Sequence, residues 1–219
     1  MTTTTEDKPD VNEMRVIHRV FRRELGALPD LVRRVPAGDV DRAAVVAQHA
    51  TFVLTGLHIH HSGEDENLWP LLLARAAPSA ALVETMQEQH ERVHECVDRS
   101  QELLVTWRAG AGRESGEAFA TSLEALCSAL FEHLDQEERD ILPLAAQHVS
   151  VEEWGRLGEH GRDSMSKSEL PIMFGAILED ANPDERDKML SLLPPPIRVF
   201  MRTLGARQYR RYIANVRGS

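Results

Sequence analysis

The chain has 219 residues, 42% of them hydrophobic and 27% charged, with a net charge of −10. That apolar share is ample for a packed core and excludes general disorder. The acidic balance argues against a protein held broadly to nucleic acid through phosphate contacts. Two cysteines, Cys96 and Cys127, with no CxxC pair, exclude a disulfide framework and a zinc ribbon. They read as reduced thiols of an intracellular protein. The first ten residues, MTTTTEDKPD, lack the basic start and apolar run of a signal peptide, and no run of eighteen apolar residues occurs to span a membrane. The expectation is a cytoplasmic, mostly helical protein.

From Val11 to about Val35 the apolar residues Met14, Ile17, Phe21, Leu25 and Leu28 fall at helical spacing, with arginines on the flanks. Pro29 should kink or interrupt this helix near its end, and Pro36-Ala37-Gly38 should stop it. Asp39 is a good N-cap for a second helix, about Val40 to Leu73, whose inward stripe Val46, Ala50, Val53 and Leu57 continues to His60 and Glu64. Pro78-Ser79 separates it from a third helix, about Ala80 to Arg108. The small residues of Ala109 to Ser115 make a turn, and a fourth helix runs from about Gly116 to His148. Four long helices with short connections favour an antiparallel up-down four-helix bundle over residues 11–148.

Residues 149–219 read as additional C-terminal helices packed on that bundle. Trp154 and Leu157 suggest a short helix, Leu170 to Leu178 another, and Asn182-Pro183-Asp184 the start of a third. Pro194-Pro195-Pro196 forces a break, and the last segment carries Ile197, Phe200, Met201, Leu204, Tyr209, Tyr212, Ile213 and Val216 close to one stripe. Residues 188–219 hold seven Lys or Arg and no acid, which leaves −17 for residues 1–187. Such a basic amphipathic segment suits a membrane surface or nucleic acid. Docking on the acidic bundle of its own chain is favoured here, because that partner is present at high effective concentration.

The chemistry lies in a repeat. H-H-S-G-E-D-E-N-L-W-P (60–70) and H-L-D-Q-E-E-R-D-I-L-P (133–143) share the unit H-x3-E-x5-P, pairing His60 with Glu64 and His133 with Glu137. Positions i and i+4 lie on one helical face, so each pair aims an imidazole and a carboxylate at one point. His18 precedes His60 by 42 residues and His90 precedes His133 by 43, which suggests a duplicated helix pair. His94, one turn beyond His90, adds a further imidazole. The proline-anchored register selects His60/Glu64 over His61/Asp65, leaving His58 and His61 as supporting or surface residues. His49, His148 and His160 have no repeat partner. Five imidazoles and two carboxylates exceed one zinc's needs and suit two iron or manganese ions in a bundle core. Buried without a cation, they would leave costly unmatched polar groups.

The pattern His18, H60-x3-E64, H90-x3-H94, H133-x3-E137 resembles the hemerythrin-like, HHE cation-binding family. The resemblance implies two non-haem iron ions, oxo- or hydroxo-bridged. His18, His60, His90, His94 and His133 would be terminal ligands, and Glu64 and Glu137 bridges. The family's oxygen carriers place a carboxylate five residues after the last His, where this chain has Glu138; the repeat favours Glu137, and Glu138 competes. Some relatives use one histidine of the third helix, in which case the symmetry favours His90. The implied function is binding of, or reaction with, O2, NO or peroxide. An enzyme consuming peroxide or NO is one form of it, and an iron-handling or redox- and oxygen-sensing regulatory module without turnover is the alternative. A small diatomic or peroxide ligand is then the expected partner, with no nucleic acid and no membrane span, and a homodimer is compatible with the bundle.

Overall fold

The computed structural model describes residues 8–218; residues 1–7, read above for a leader segment, lie outside the described residues. The described residues are all-α, without a strand. Helix α1 (Asn12–Arg33) runs through Pro29 without interruption. The proline removes a single backbone donor, and the burial of Leu28, Pro29, Leu31 and Val32 holds the last turn in place. Helix α2 (Val40–Asn67) starts where the Asp39 carboxylate accepts from the Arg42 backbone N–H at 2.9 Å. The short α3 (Trp69–Arg75) and a 3₁₀ turn at Ala77–Ser79 lead to α4 (Ala80–Gly110), and α5 (Arg113–Gln136) follows after two residues.

The sequence reads the second and fourth helices as single spans with a bend or end at the proline of each repeat. Both change just ahead of their prolines. α2 gives way to α3 at Leu68, with Pro70 in the first turn of the new helix. α5 passes through a π-helical turn, Glu137–Ile141, into α6 (Leu142–His148), with Pro143 in its first turn. A proline lacks the N–H a helix interior requires; Pro70 falls in a first turn, where that N–H is unneeded, and at Pro143 the π turn just before it loosens the ladder. Both irregularities fall at or within a few residues of the carboxylates singled out by the repeat.

α1 packs on α2 and α5, and α4 packs on α2 and α5, closing a ring of four. Gly38 N–H, in the first connection, donates to the Ala111 carbonyl in the third at 3.0 Å. Those two connections therefore share one end of the bundle. The starts of α1 and α4 and the ends of α2 and α5 share the other, so successive helices alternate in direction. Ala111 takes a left-handed conformation (φ 47°) to turn the chain there, at a cost of about 1 kcal/mol. The fully buried Leu25, Leu28, Leu54, Leu57, Leu123, Leu126 and Leu130 fill the centre, each stabilising the fold by roughly 1.5–3 kcal/mol. Cys96 and Cys127 are free thiols at the edge of this core.

Beyond residue 148 come α7 (Val151–Asp163), α8 (Leu170–Asp180), α9 (Pro183–Ser191), α10 (Pro195–Phe200) and α11 (Ala206–Arg217). Capping boxes start α7 (Ser150 with Glu153) and α9 (Asn182 with Glu185). The triproline separates α9 from α10 but also opens α10 at its second proline. α7 lies on α2, α8 on α1, and α11 on α8 and α2. The α8–α11 approach requires Gly175, because a Cβ there would collide with the Tyr209 ring. α11 buries Tyr209, Ile213 and Val216, while Arg217 bonds Glu179 at 2.7 and 3.0 Å. No helix among the described residues is long and apolar enough to cross a membrane.

Candidate metal centre

At the end of the bundle where α1 and α4 begin, His18 of α1, His60 and Glu64 of α2, His90 of α4, His133 of α5 and Glu137 of the π turn converge. His18, Glu64, His133 and Glu137 are completely buried. The i, i+4 pairs hold their geometry: His60 Nε2 lies 3.4 Å from Glu64 Oε1, and His133 Nε2 lies 3.7 Å from Glu137 Oε2. Contacts then cross between helices. His18 Nε2 is 3.3 Å from Glu137 Oε2, and His90 Nε2 is 3.4 Å from Glu64 Oε2.

His94 is not in this cluster. Its side chain is 58% exposed and faces Asp98 at 3.7 Å. It lies four residues, about 6 Å, further along α4 than His90. The place expected for it is filled from α2 by His61, whose ring stacks on His90 with centroids 4.1 Å apart and planes 13° from parallel. The available signal for His61 was its i, i+3 relation to Glu64, which also shares a face. Two four-donor groups result, His61/Glu64/His90/His133 and His18/His60/Glu64/Glu137, each with one donor atom per residue within 4.8 Å of the others. Glu64 belongs to both.

The outward nitrogens of three rings are held by polar groups that spacing alone did not reveal. His18 Nδ1 meets Glu138 Oε1 at 2.9 Å, His90 Nδ1 meets Asp65 Oδ1 at 2.8 Å, and His133 Nδ1 meets Gln89 Oε1 at 3.1 Å. These are in turn fixed: the Trp69 indole donates to Asp65 at 2.8 Å, and the Gln89 amide donates to Gln136 at 2.8 Å. Glu138, the competing carboxylate, therefore orients His18 and accepts from Arg22 at 3.2 Å. Anchoring the outer nitrogen fixes the tautomer and turns the inner lone pair toward the centre.

The inner atoms have no such partners. His18, His60 and His61 Nε2 and all four oxygens of Glu64 and Glu137 are buried without a hydrogen bond. His90 Nε2 and His133 Nε2 face each other at 3.2 Å, an approach only one proton can bridge. Burial and the neighbouring imidazoles hold His60 and His61 well below the usual range, and push His133 down to about 2. These rings are neutral, as metal ligation requires. Burial raises the Glu64 and Glu137 carboxyls, and their closeness raises Glu137 further. Burial alone would lower His90, yet its bond to Asp65 and the Glu64 carboxylate 3.4 Å away raise it to about 9. Lone pairs without donors, and carboxylates that cannot comfortably be charged, fit cations at the centre.

A model of the hemerythrin HHE cation-binding domain matches residues 10–145. The chain belongs to that family. No match was found among curated proteins or among solved structures. The HHE match covers all four bundle helices and stops before α7, so the extension lies outside it. In this HHE domain the exposed His58 and His94 sit beside each other, ring centroids 5.8 Å apart, in a cleft of about 330 Å³ between α2 and α4. His61 and His90 line its inner side.

Proposed function

We propose that the chain is a non-haem diiron protein that binds or reacts with O2, NO or peroxide. One iron would be held by His18, His60, Glu64 and Glu137, the other by His61, Glu64, His90 and His133. The observation that carries this reading is Glu64, a carboxylate without hydrogen-bonding partners that belongs to both donor groups. Glu137 supports it as a second bridge, since one of its oxygens reaches both His18 (3.3 Å) and His133 (3.7 Å). A donor set of imidazole and carboxylate without thiolate suits iron or manganese better than copper(I) or a cluster. When bound, the iron pair supplies redox equivalents and Lewis acidity.

The chain's own residues prepare the place. The imidazoles turn their inner nitrogens to the centre, while Glu138, Asp65 and Gln89 hold three of them in orientation. The cleft lined by His58, His61, His90 and His94 gives a small ligand a way in from solvent. The same reading divides the chain into a metal-binding bundle, 11–148, and an extension, 149–219, in a cytoplasmic protein whose cysteines stay reduced.

Metal analysis with a visible spectrum tests the proposal. About two irons per chain with oxo-to-iron charge-transfer bands are expected; stoichiometric zinc would count against it. Stopped-flow mixing of the reduced protein with O2, NO and peroxide then separates the classes. A stable adduct identifies a binder or sensor, and repeated turnover identifies an enzyme.

A further inference from the structure

Between the bundle and the extension lies a second cavity, of about 340 Å³. Its bundle wall includes Ile17, Ile59 and His60; its outer wall includes Trp154, Met173 and Phe174. We propose that the extension makes this cavity a binding site for a neutral, largely hydrocarbon molecule the size of a two-ring aromatic, held against His60 of the metal centre.

The size is suitable, since an apolar cavity of about 150 Å³ already takes a benzene. The lining is also suitable. Ile17, Ile59, Met173 and Phe174 are only half-buried although they sit between packed layers, because they face this space. Methionine at positions 165 and 173 lets the wall adapt to an occupant's shape. The charged groups at the cavity, Glu13, Glu159 and Arg162, are of mixed sign, so none selects an ion.

The sequence of α7 points the same way. Gly155, Gly158 and Gly161 recur every three residues along a thirteen-residue helix and all line the cavity. Glycine disfavours a helix interior, and close packing does not require it at two of these positions. A Cβ at Gly155 or Gly161 would meet nothing within 4 Å. Gly155 is exposed and Gly161 half-buried at the cavity's rim, so both positions have room for a larger side chain.

Binding needs no metal; its effect on the iron rests on the function proposed above. The test titrates naphthalene into the metal-free full-length protein, followed by calorimetry and by tryptophan emission, with Trp154 at the cavity. Saturable binding of one molecule per chain is expected. The Gly155→Leu/Gly161→Leu double variant, which also favours the helix, should weaken it by about tenfold or more with unchanged circular dichroism. Met165→Phe, in the connector before α8, gives an independent filling and the same direction of change. No saturable binding up to the solubility limit, or equal binding by both filled variants, overturns the site. In iron-loaded protein, naphthalene should shift the visible bands; binding without a shift overturns the contact with the metal ligand. Failure of the protein to load iron would sink the diiron reading alone and leave the cavity result standing.

Discussion

Two clusters of buried polar groups sit in the same bundle and are neutralised in opposite ways. Around Glu24, which is 3% exposed, the chain supplies the positive charge itself. Arg23 donates to Glu24 at 2.7 Å, Arg217 of α11 reaches it at 3.5 Å, and His49 Nε2 lies 3.3 Å away. The other nitrogen of His49 meets the Tyr212 hydroxyl at 2.9 Å, and Tyr209 donates to Glu179 at 2.6 Å. Around Glu64 and Glu137 three rings have polar partners on their outer nitrogens, the inner nitrogens of His90 and His133 face each other, and among the described residues no guanidinium pairs with either carboxylate. Arg22 comes as near as Glu138 and stops there. A buried carboxylate is costly without a cation. In one cluster Arg23 of α1 supplies it, with Arg217 of the C-terminal helix further off; the other is built to take one from solution.

The sharpest way to break that contrast is to exchange the two acids' fates. Glu64→Gln should abolish metal at both positions, an effect beyond the roughly 10–100-fold expected for outer partners of ligands, as read by elemental analysis. Glu24→Ala should leave metal content unchanged and destabilise the fold. The expected loss lies toward the lower end of about 3–5 kcal/mol, because Arg23 and Arg217 keep some solvent, and urea unfolding measures it.

Chelation comes next. Removing metal that is present at about a thousandfold over its dissociation constant should cost about 4 kcal/mol of stability, seen as a lower Tm in wild type and no change in Glu64→Gln. A smaller effect separates two histidines: His61→Ala should weaken metal binding, whereas His94→Ala should match wild type in a competition titration with a chelator.

The smallest expected effect concerns pH. Burial raises the Glu24 carboxyl, but the His49 ring 3.3 Å away and the Arg23 guanidinium outweigh it and hold it below its ordinary value of 4.5. A carboxyl lowered on folding stabilises the protein above its unfolded value, and that contribution is lost as pH falls through the folded value. Stability should therefore decline below about pH 4.5, and Glu24→Gln should flatten the decline in urea midpoints measured across that range. In metal-free protein the carboxyls of Glu64 and Glu137 are raised instead. Their contribution is present at low pH and is lost as pH rises through their folded values, a slope of opposite sign. Loading with metal should remove that second slope and leave the first.

Much of the centre was legible in the sequence because helical periodicity is a local rule. The repeated H-x3-E-x5-P brought out His60, Glu64, His133 and Glu137, and the near-equal separations of 42 and 43 residues added His18 and His90. The prolines of the repeat marked a bend or end in each helix, although whether Pro143 is met by a π turn and Pro70 by a new helix was not in the spacing. His94 marks the limit of that rule: i+4 says which face a residue is on, and nothing about its height against a neighbouring helix. His94 keeps the face and lies a turn too far along, so His61 stacks on His90 instead. Glu138, Asp65 and Gln89 were not identifiable as supports, because a side chain that orients a ring through its outer nitrogen follows no periodic pattern.

The sequence by itself determined four long amphipathic helices, a paired set of imidazoles and carboxylates at one end of them, and a basic, apolar-striped final segment. Those depend on contacts within a turn or two, which spacing encodes directly. Only the tertiary structure decided which histidines meet and which acid is neutralised by Arg217. It also decided that the extension leaves a cavity beside His60. Each of these depends on the axial offset between helices distant in the chain, a quantity set by how whole surfaces pack and carried by no single motif.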